Sequence, residues 1–164
     1  MAIFQTFGVS LNIKVVAKQF FAIVTVLSIN SSPVYAGQNE PSVVKDVLIE
    51  NAYMPEVPKV SRMGAIYLDL TNIGSETILL KGVTTDIAYH SMIHRTVDSD
   101  GVAKMKHMDE LSIKPKQMVK FEPNGIHIML MGLDHDELTS PFEVTLEFND
   151  NKKHKFLVKI KKPD

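Results

Sequence analysis

Residues 126–133 read Ile-His-Ile-Met-Leu-Met-Gly-Leu, and this alternation decides the fold. Successive side chains of a β-strand point to opposite faces, so Ile128 and Leu130 share one face while His127 and Met129 share the other. A protein core needs only one face of a strand. The pattern therefore predicts a strand that packs aliphatic side chains inward and presents imidazole and thioether groups on its second side.

Short β-type runs of this kind recur along the chain, and no long stretch has helical periodicity. Turn residues separate the runs, as in Asp98-Ser99-Asp100-Gly101 and Pro123-Asn124-Gly125. So many short strands in one chain indicate an all-β fold, an antiparallel sandwich or barrel. The nine predicted strands are residues 43–53, 65–71, 77–83, 87–97, 102–108, 117–121, 126–133, 142–148 and 154–160.

The first 36 residues have the pattern of a secretory signal peptide. Two lysines precede the apolar run 20–29, and Pro33-Val34-Tyr35-Ala36 places small residues where signal peptidase cleaves. The run has about ten residues, whereas a membrane-spanning helix needs about 20. Cleavage after Ala36 is therefore the preferred interpretation, with a retained anchor as the alternative. We expect residues 37–164 to form a single exported domain.

Composition excludes several classes of function. The 164 residues are 45% hydrophobic and 23% charged, as in an ordinary soluble domain. Signal cleavage would remove two of the 18 basic residues and none of the 19 acidic ones, so nucleic acid is not an expected partner. The chain has no cysteine, so we expect no disulfide, no cysteine-linked lipid anchor and no blue-copper centre. No catalytic motif is recognisable, and we do not expect an enzyme.

Four histidine and methionine side chains are the candidate metal ligands. Ten residues separate His94 from Met105, twenty-one more precede His127, and Met129 follows after one. Alternate residues of a strand lie roughly 6.5 to 7 Å apart, so His127 and Met129 can converge on one ion. A turn centred between Ser99 and Asp100 would place His94 directly opposite Met105.

Imidazole and thioether groups form a soft ligand set, which in a chain without cysteine favours Cu(I). His90, Met92 and His107 fall around the four candidate ligands in the predicted strands. Two interpretations of these three residues stay open, since they either shield or extend the site or are ordinary surface residues.

The spacing of the four candidate ligands resembles the signature of the periplasmic copper chaperones called PCuAC (the DUF461 family). The similarity extends over residues 47–160 and includes Gly64-Ala65-Ile66-Tyr67-Leu68 and the Pro123-Asn124-Gly125 turn. It implies a cupredoxin-like Greek-key β-sandwich that binds one Cu(I) per chain. The residues that would inherit the ligand roles are His94, Met105, His127 and Met129.

The resemblance also implies a function and a partner. Members of this family pass Cu(I) toward the binuclear copper site of a respiratory cytochrome oxidase. We therefore expect a monomeric copper chaperone whose acceptor is the copper domain of an oxidase subunit or a thiol-bearing assembly factor.

Two other functions stay open at this point. A periplasmic copper storage or detoxification protein would use the same ligands, and a metal-free β-sandwich serving adhesion or assembly would use none of them. An adhesion module has no reason to retain copper through desalting under reducing conditions, so metal analysis separates it from the other two. Transfer of Cu(I) to an apo oxidase copper domain separates delivery from storage.

Overall fold

Strands make up most of the chain that the computed structural model describes, residues 41–44 and 46–162. Asn149–Asn151 forms a single 3-10 turn, and none of the described residues lies in an α-helix. The same residues include no helix with the length and apolarity needed to cross a membrane. The predicted signal peptide, residues 1–36, lies outside the described residues and stays a prediction. The strands are β1 (Ser42–Val44), β2 (Val47–Pro55), β3 (Met63–Asn72), β4 (Ile78–Thr84), β5 (Ala88–Ser99), β6 (Val102–His107), β7 (Leu111–Ile113), β8 (Met118–Phe121), β9 (Ile126–Leu133), β10 (Phe142–Phe148) and β11 (Lys153–Lys161).

Hydrogen bonds join the strands in the order β6-β5-β9-β8-β3-β2-β11-β10-β4-β7, with β1 added to β2 and a further pairing between β9 and β3. Most neighbours are antiparallel, whereas β2 with β11 and β8 with β9 run parallel. The predicted all-β class is confirmed. The order brings β5 and β9, which are distant in sequence, side by side.

All nine predicted strands are present, with ends shifted by a few residues. The segment predicted as one strand at 43–53 is two, β1 and β2, and these pair with each other through Val43 and Leu48. Strand β7 was not predicted. A three-residue strand is too short to show a periodicity, so both differences concern the shortest elements.

The core is built from one face of most strands, whereas every residue of the edge strand β6 is exposed. In β9, Ile128 and Leu130 have no exposed surface, and Ile93 of β5 is 2% exposed. Their neighbours across the pairing are equally buried, as Ile66 of β3 opposite Ile128 shows. We call the other side of β6, β5, β9 and β3 the outer face, because it points away from this core.

Candidate metal centre

Three imidazoles lie in a row across the outer face. His94 of β5 is directly opposite His127 of β9, with ring centroids 6.0 Å apart and planes at 85°. On the other side of His94 lies His107 of β6, with centroids 5.8 Å apart. The pairing of β5 with β6 and with the sequence-distant β9 thus brings three imidazoles together, with His94 in the middle.

A pair of thioethers forms the next row along the same strands. Met129 follows His127 by two residues and shares its face, and it is directly opposite Met92 of β5. Ala65 of β3 lies on the other side of Met129. Imidazole and thioether therefore occupy consecutive outward positions of β9, as the alternation predicts.

The predicted pairing of His94 with Met105 is wrong. The β5–β6 turn consists of Asp100 and Gly101, both with positive φ of 58° and 79°, and Ser99 pairs with Val102. Such a two-residue turn matches the twist of the strands it joins, and it is centred one residue later than predicted. A shift of one residue at the turn moves the pairing by two.

Met105 consequently lies opposite Thr96, one diagonal step from His94. A shift of two residues leaves its side chain on the same face. Diagonal neighbours are about 7 to 8 Å apart at Cα, which is still within reach of long side chains. The four predicted ligands thus share one face of three adjacent strands, with Met105 the most distant from the other three in register.

The ring of His127 is held in one orientation. Its side chain is 4% exposed, and Nδ1 lies 3.2 Å from the carbonyl oxygen of Gly125. A carbonyl only accepts, so Nδ1 carries the hydrogen and Nε2 keeps its lone pair. The same carbonyl accepts the backbone N–H of Thr96 from β5 at 3.0 Å, which fixes it in place. Metal-binding histidines are commonly oriented by such a hydrogen bond.

His94 has a different environment. Its Nδ1 is buried, and no described residue offers it a hydrogen bond. Burial lowers the pKa of His94 below its usual value, and the positive charges that His127 and His107 would carry lower it further. A lowered pKa favours the neutral ring, which is the form of histidine that binds a metal ion, and its Nδ1 is unused.

Carboxylate and thiolate donors contribute little here. Among the described residues, no group of three or more His, Cys, Asp or Glu side chains is arranged to hold a metal ion. Since the imidazoles lie along a row instead of around a point, a complete coordination sphere on this face needs methionine. Asp109 approaches Nε2 of His107 to 3.4 Å, but its side chain is 98% exposed.

Exposure differs among the candidate ligands. Met105 is 61% exposed, His94 and Met129 are half-buried, and His127 is buried. His107 and Met92, for which two interpretations were open, lie directly in register with His94 and Met129. Correct placement of the Asp100-Gly101 turn would have revealed the position of His107, because it fixes the β5–β6 pairing.

A family described as "Putative lipoprotein LpqE-like" matches residues 47–160. The chain belongs to the LpqE-like family. The PCuAC (DUF461) assignment made from the four-ligand spacing is thereby confirmed. A curated relative, "Putative lipoprotein Lxx21020" of Leifsonia xyli subsp. xyli, is 33% identical over 103 residues. That match covers 62% of this chain and spans 62% of the relative's length.

Several solved structures are similar to this chain. Apo-DR1885 of Deinococcus radiodurans is 30% identical, with a TM-score of 0.56 over 78% of this chain and 87% of DR1885. CuI-DR1885 is 31% identical, with a TM-score of 0.55 over 67% of this chain and 74% of that one. The copper-bound PCuAC domain from PmoF2 is 17% identical, with a TM-score of 0.62 over 75% and 98% of the two chains. The cupredoxin-like fold implied by the resemblance is confirmed.

Proposed function

We propose that this protein binds one Cu(I) ion through His94, Met105, His127 and Met129. The observation that carries the proposal is the facing pair of imidazoles, His94 and His127, beside the thioether of Met129 on one face of adjacent strands. Neutral imidazole and thioether donors suit Cu(I) better than Zn(II), Mg(II) or Ca(II), which prefer harder or charged ligands.

The state of both histidines supports this assignment. The Gly125 carbonyl leaves Nε2 of His127 as the free donor, and the buried Nδ1 of His94 has no partner among the described residues. A buried polar atom is normally hydrogen-bonded, so an unpaired imidazole nitrogen next to other donors suits a metal ligand. The Cu(I) form of DR1885, a 31% identical member of the family, supports the choice of ion.

We propose further that the ion is cargo, delivered outside the cytosol toward the binuclear copper site of a respiratory cytochrome oxidase. Two thioethers and two neutral imidazoles leave the charge of Cu(I) uncompensated, so an acceptor with thiolates competes for it. The exposed Met105 gives such an acceptor access to the ion before the other ligands release it. Thioethers are also not lost to disulfide formation in an oxidising compartment.

The proposed location is the periplasm, with cleavage near Ala36 releasing a monomeric domain of residues 37–164. The lipoprotein names of the matching family and of the Leifsonia relative support an envelope location. The chain itself has no cysteine that would carry a lipid. N-terminal sequencing of the exported protein tests the cleavage, with a new N-terminus at Gly37 as the expected result.

X-ray absorption of the Cu(I)-loaded protein tests the ligand set. The expected first shell contains both nitrogen and sulfur, and a shell of nitrogen and oxygen alone contradicts the proposal. Delivery is tested by mixing the loaded protein with an apo oxidase copper domain and measuring copper in each after separation. Copper that stays with the donor at equilibrium, although the acceptor is competent, indicates storage instead.

A further inference from the structure

A third row of donors lies on the outer face beyond Met92 and Met129. His90 of β5 is directly opposite Met131 of β9, and Met131 is directly opposite Met63 of β3. Residues paired directly across a sheet share a face, and Met131 follows Met129 by two. These three side chains, which we call the third row, therefore project from the same face as the proposed copper ligands.

The spacing of the third row suits a single ion. Neighbouring strands lie about 4.8 Å apart, so three paired residues span about 10 Å at Cα, with Met131 in the middle. Methionine has three rotatable bonds, and its thioether can swing toward a common point between the strands. The row offers one imidazole and two thioethers, which is again a soft and neutral donor set.

The exposure of the row distinguishes it from core packing. Met63 is 54% exposed and His90 is also exposed, while Met131 between them is half-buried. An exposed methionine does not fill a core, which is the usual reason for the residue. The His90 ring packs edge-on against Tyr89, with centroids 4.6 Å apart.

We propose that His90, Met131 and Met63 form a second Cu(I) site, weaker than the first. The inference rests on the proposed function, because it assumes that the same ion reaches this face. Three donors bind less tightly than four, and no described residue orients the His90 ring as the Gly125 carbonyl orients that of His127. Met129 and Met131 are consecutive outward residues, roughly 6.5 to 7 Å apart, so an ion can pass between the sites by exchanging thioethers.

Titration of the purified protein with Ag(I), a redox-stable substitute for Cu(I), tests the second site. Methyl groups of 13C-labelled methionine are observed by NMR during the titration. The first equivalent should shift Met129 and Met105, and the second should shift Met63 and Met131. A second equivalent that leaves Met63 and Met131 unmoved overturns the proposal.

Met63→Leu should remove the second equivalent and leave the first. Met118→Leu is the matched control, because Met118 is 48% exposed and pairs with Thr71, an outward residue of β3 that is eight positions from Met63. The control should retain both equivalents. Binding of a single equivalent by the wild type and both variants overturns the second site and leaves the first intact. Absence of any tight binding by the wild type contradicts the proposed function itself.

Discussion

The two faces of β5 and β9 are built from alternating residues of the same strands, yet they carry different kinds of side chain. Ile93, Ile128 and Leu130 are 2%, 0% and 0% exposed and form part of the core. His94, His127 and Met129 stand between them on the outer face. Both faces share one set of backbone hydrogen bonds, so the difference between them lies in the side chains alone.

Under the copper binding that we propose, this arrangement separates the residues that stabilise the fold from those that bind the ion. Burial of aliphatic side chains stabilises the fold, whereas the outer face contributes donors held at fixed spacing by the strands. Substitutions on one face are therefore expected to affect folding and those on the other to affect copper binding.

Leu130→Ala should destabilise the apoprotein strongly, because it leaves a cavity where the side chain has no exposed surface. The expected loss in the free energy of unfolding is about 2 to 5 kcal/mol. Met129→Leu keeps the volume of a half-buried side chain and should cost less than about 1.5 kcal/mol. Urea denaturation of both variants measures the difference. Equal destabilisation would show that Met129 belongs to the core.

Cu(I) affinity should show the opposite ranking of these substitutions. Met129→Leu and His127→Asn should each weaken Cu(I) binding by at least the roughly 10- to 100-fold loss that is typical even of residues that only support a metal ligand. Competition with a Cu(I) chelator measures the affinity. Leu130→Ala, studied where it is folded, should bind within a few-fold of wild type. A full loss there would mean that the two faces are not independent.

The alternation that separates the faces was readable in the sequence, and so were the nine strands. The predicted 126–133 strand coincides with β9, since the Pro123-Asn124-Gly125 turn precedes it and its period of two is regular. Pairing between distant strands was not readable. That β9 joins both β5 and β3 depends on tertiary packing, so the direct opposition of His94 and His127 required the structure.

Two histidines are buried, His127 on the outer face of β9 and His154 in β11, and their environments differ. His154 is 2% exposed, its Nε2 is 2.8 Å from the Ser42 hydroxyl, and no described residue pairs with its Nδ1. Burial lowers the pKa of His154, so the native state takes up its proton at a lower pH than the unfolded chain. Unlike His127, it lies in β11, where it pairs with Leu146 of β10.

The unfolded state therefore binds more protons between the lowered pKa of folded His154 and about pH 6.5, the ordinary pKa of histidine. The stability present above that pH should fall as the pH decreases toward the folded pKa of His154, by at most about 1.4 kcal/mol per pH unit. His154→Gln should reduce this slope in urea titrations between pH 7.5 and 5. An unchanged slope in His154→Gln would contradict the assignment.

The position of Met105 was predicted only in part, and the reason is local. Asp98-Ser99-Asp100-Gly101 allows several turn centres, and sequence reasoning chose one residue too early. The structure settles the register through positive φ at both Asp100 and Gly101. Met105 nevertheless lies on the predicted face of the sheet, because the pairing shifted by two residues. The face of Met105 was thus predictable, although its partner was not.

This turn gives the smallest expected effect. Gly101 has φ of 79°, and a Cβ added there would meet nothing within 4 Å, so Gly101→Ala strains only the backbone. The strain is about 1 to 2 kcal/mol, and Gly101→Asn should relieve most of it because asparagine tolerates this conformation. The hairpin holds Met105, whereas β9 pairs with β5 and β3 and holds His127 and Met129 without it.

Gly101→Ala should therefore weaken Cu(I) binding only a few-fold, less than Met129→Leu, and Gly101→Asn should bind nearly as well as wild type. Chelator competition under identical conditions ranks the three variants. A loss in Gly101→Ala as large as in Met129→Leu would mean that the site depends on the edge hairpin as much as on β9. Copper binding would then depend on how the strands are joined and not only on the outer face of β9, with the β5–β6 turn as the element that assembles the ligands.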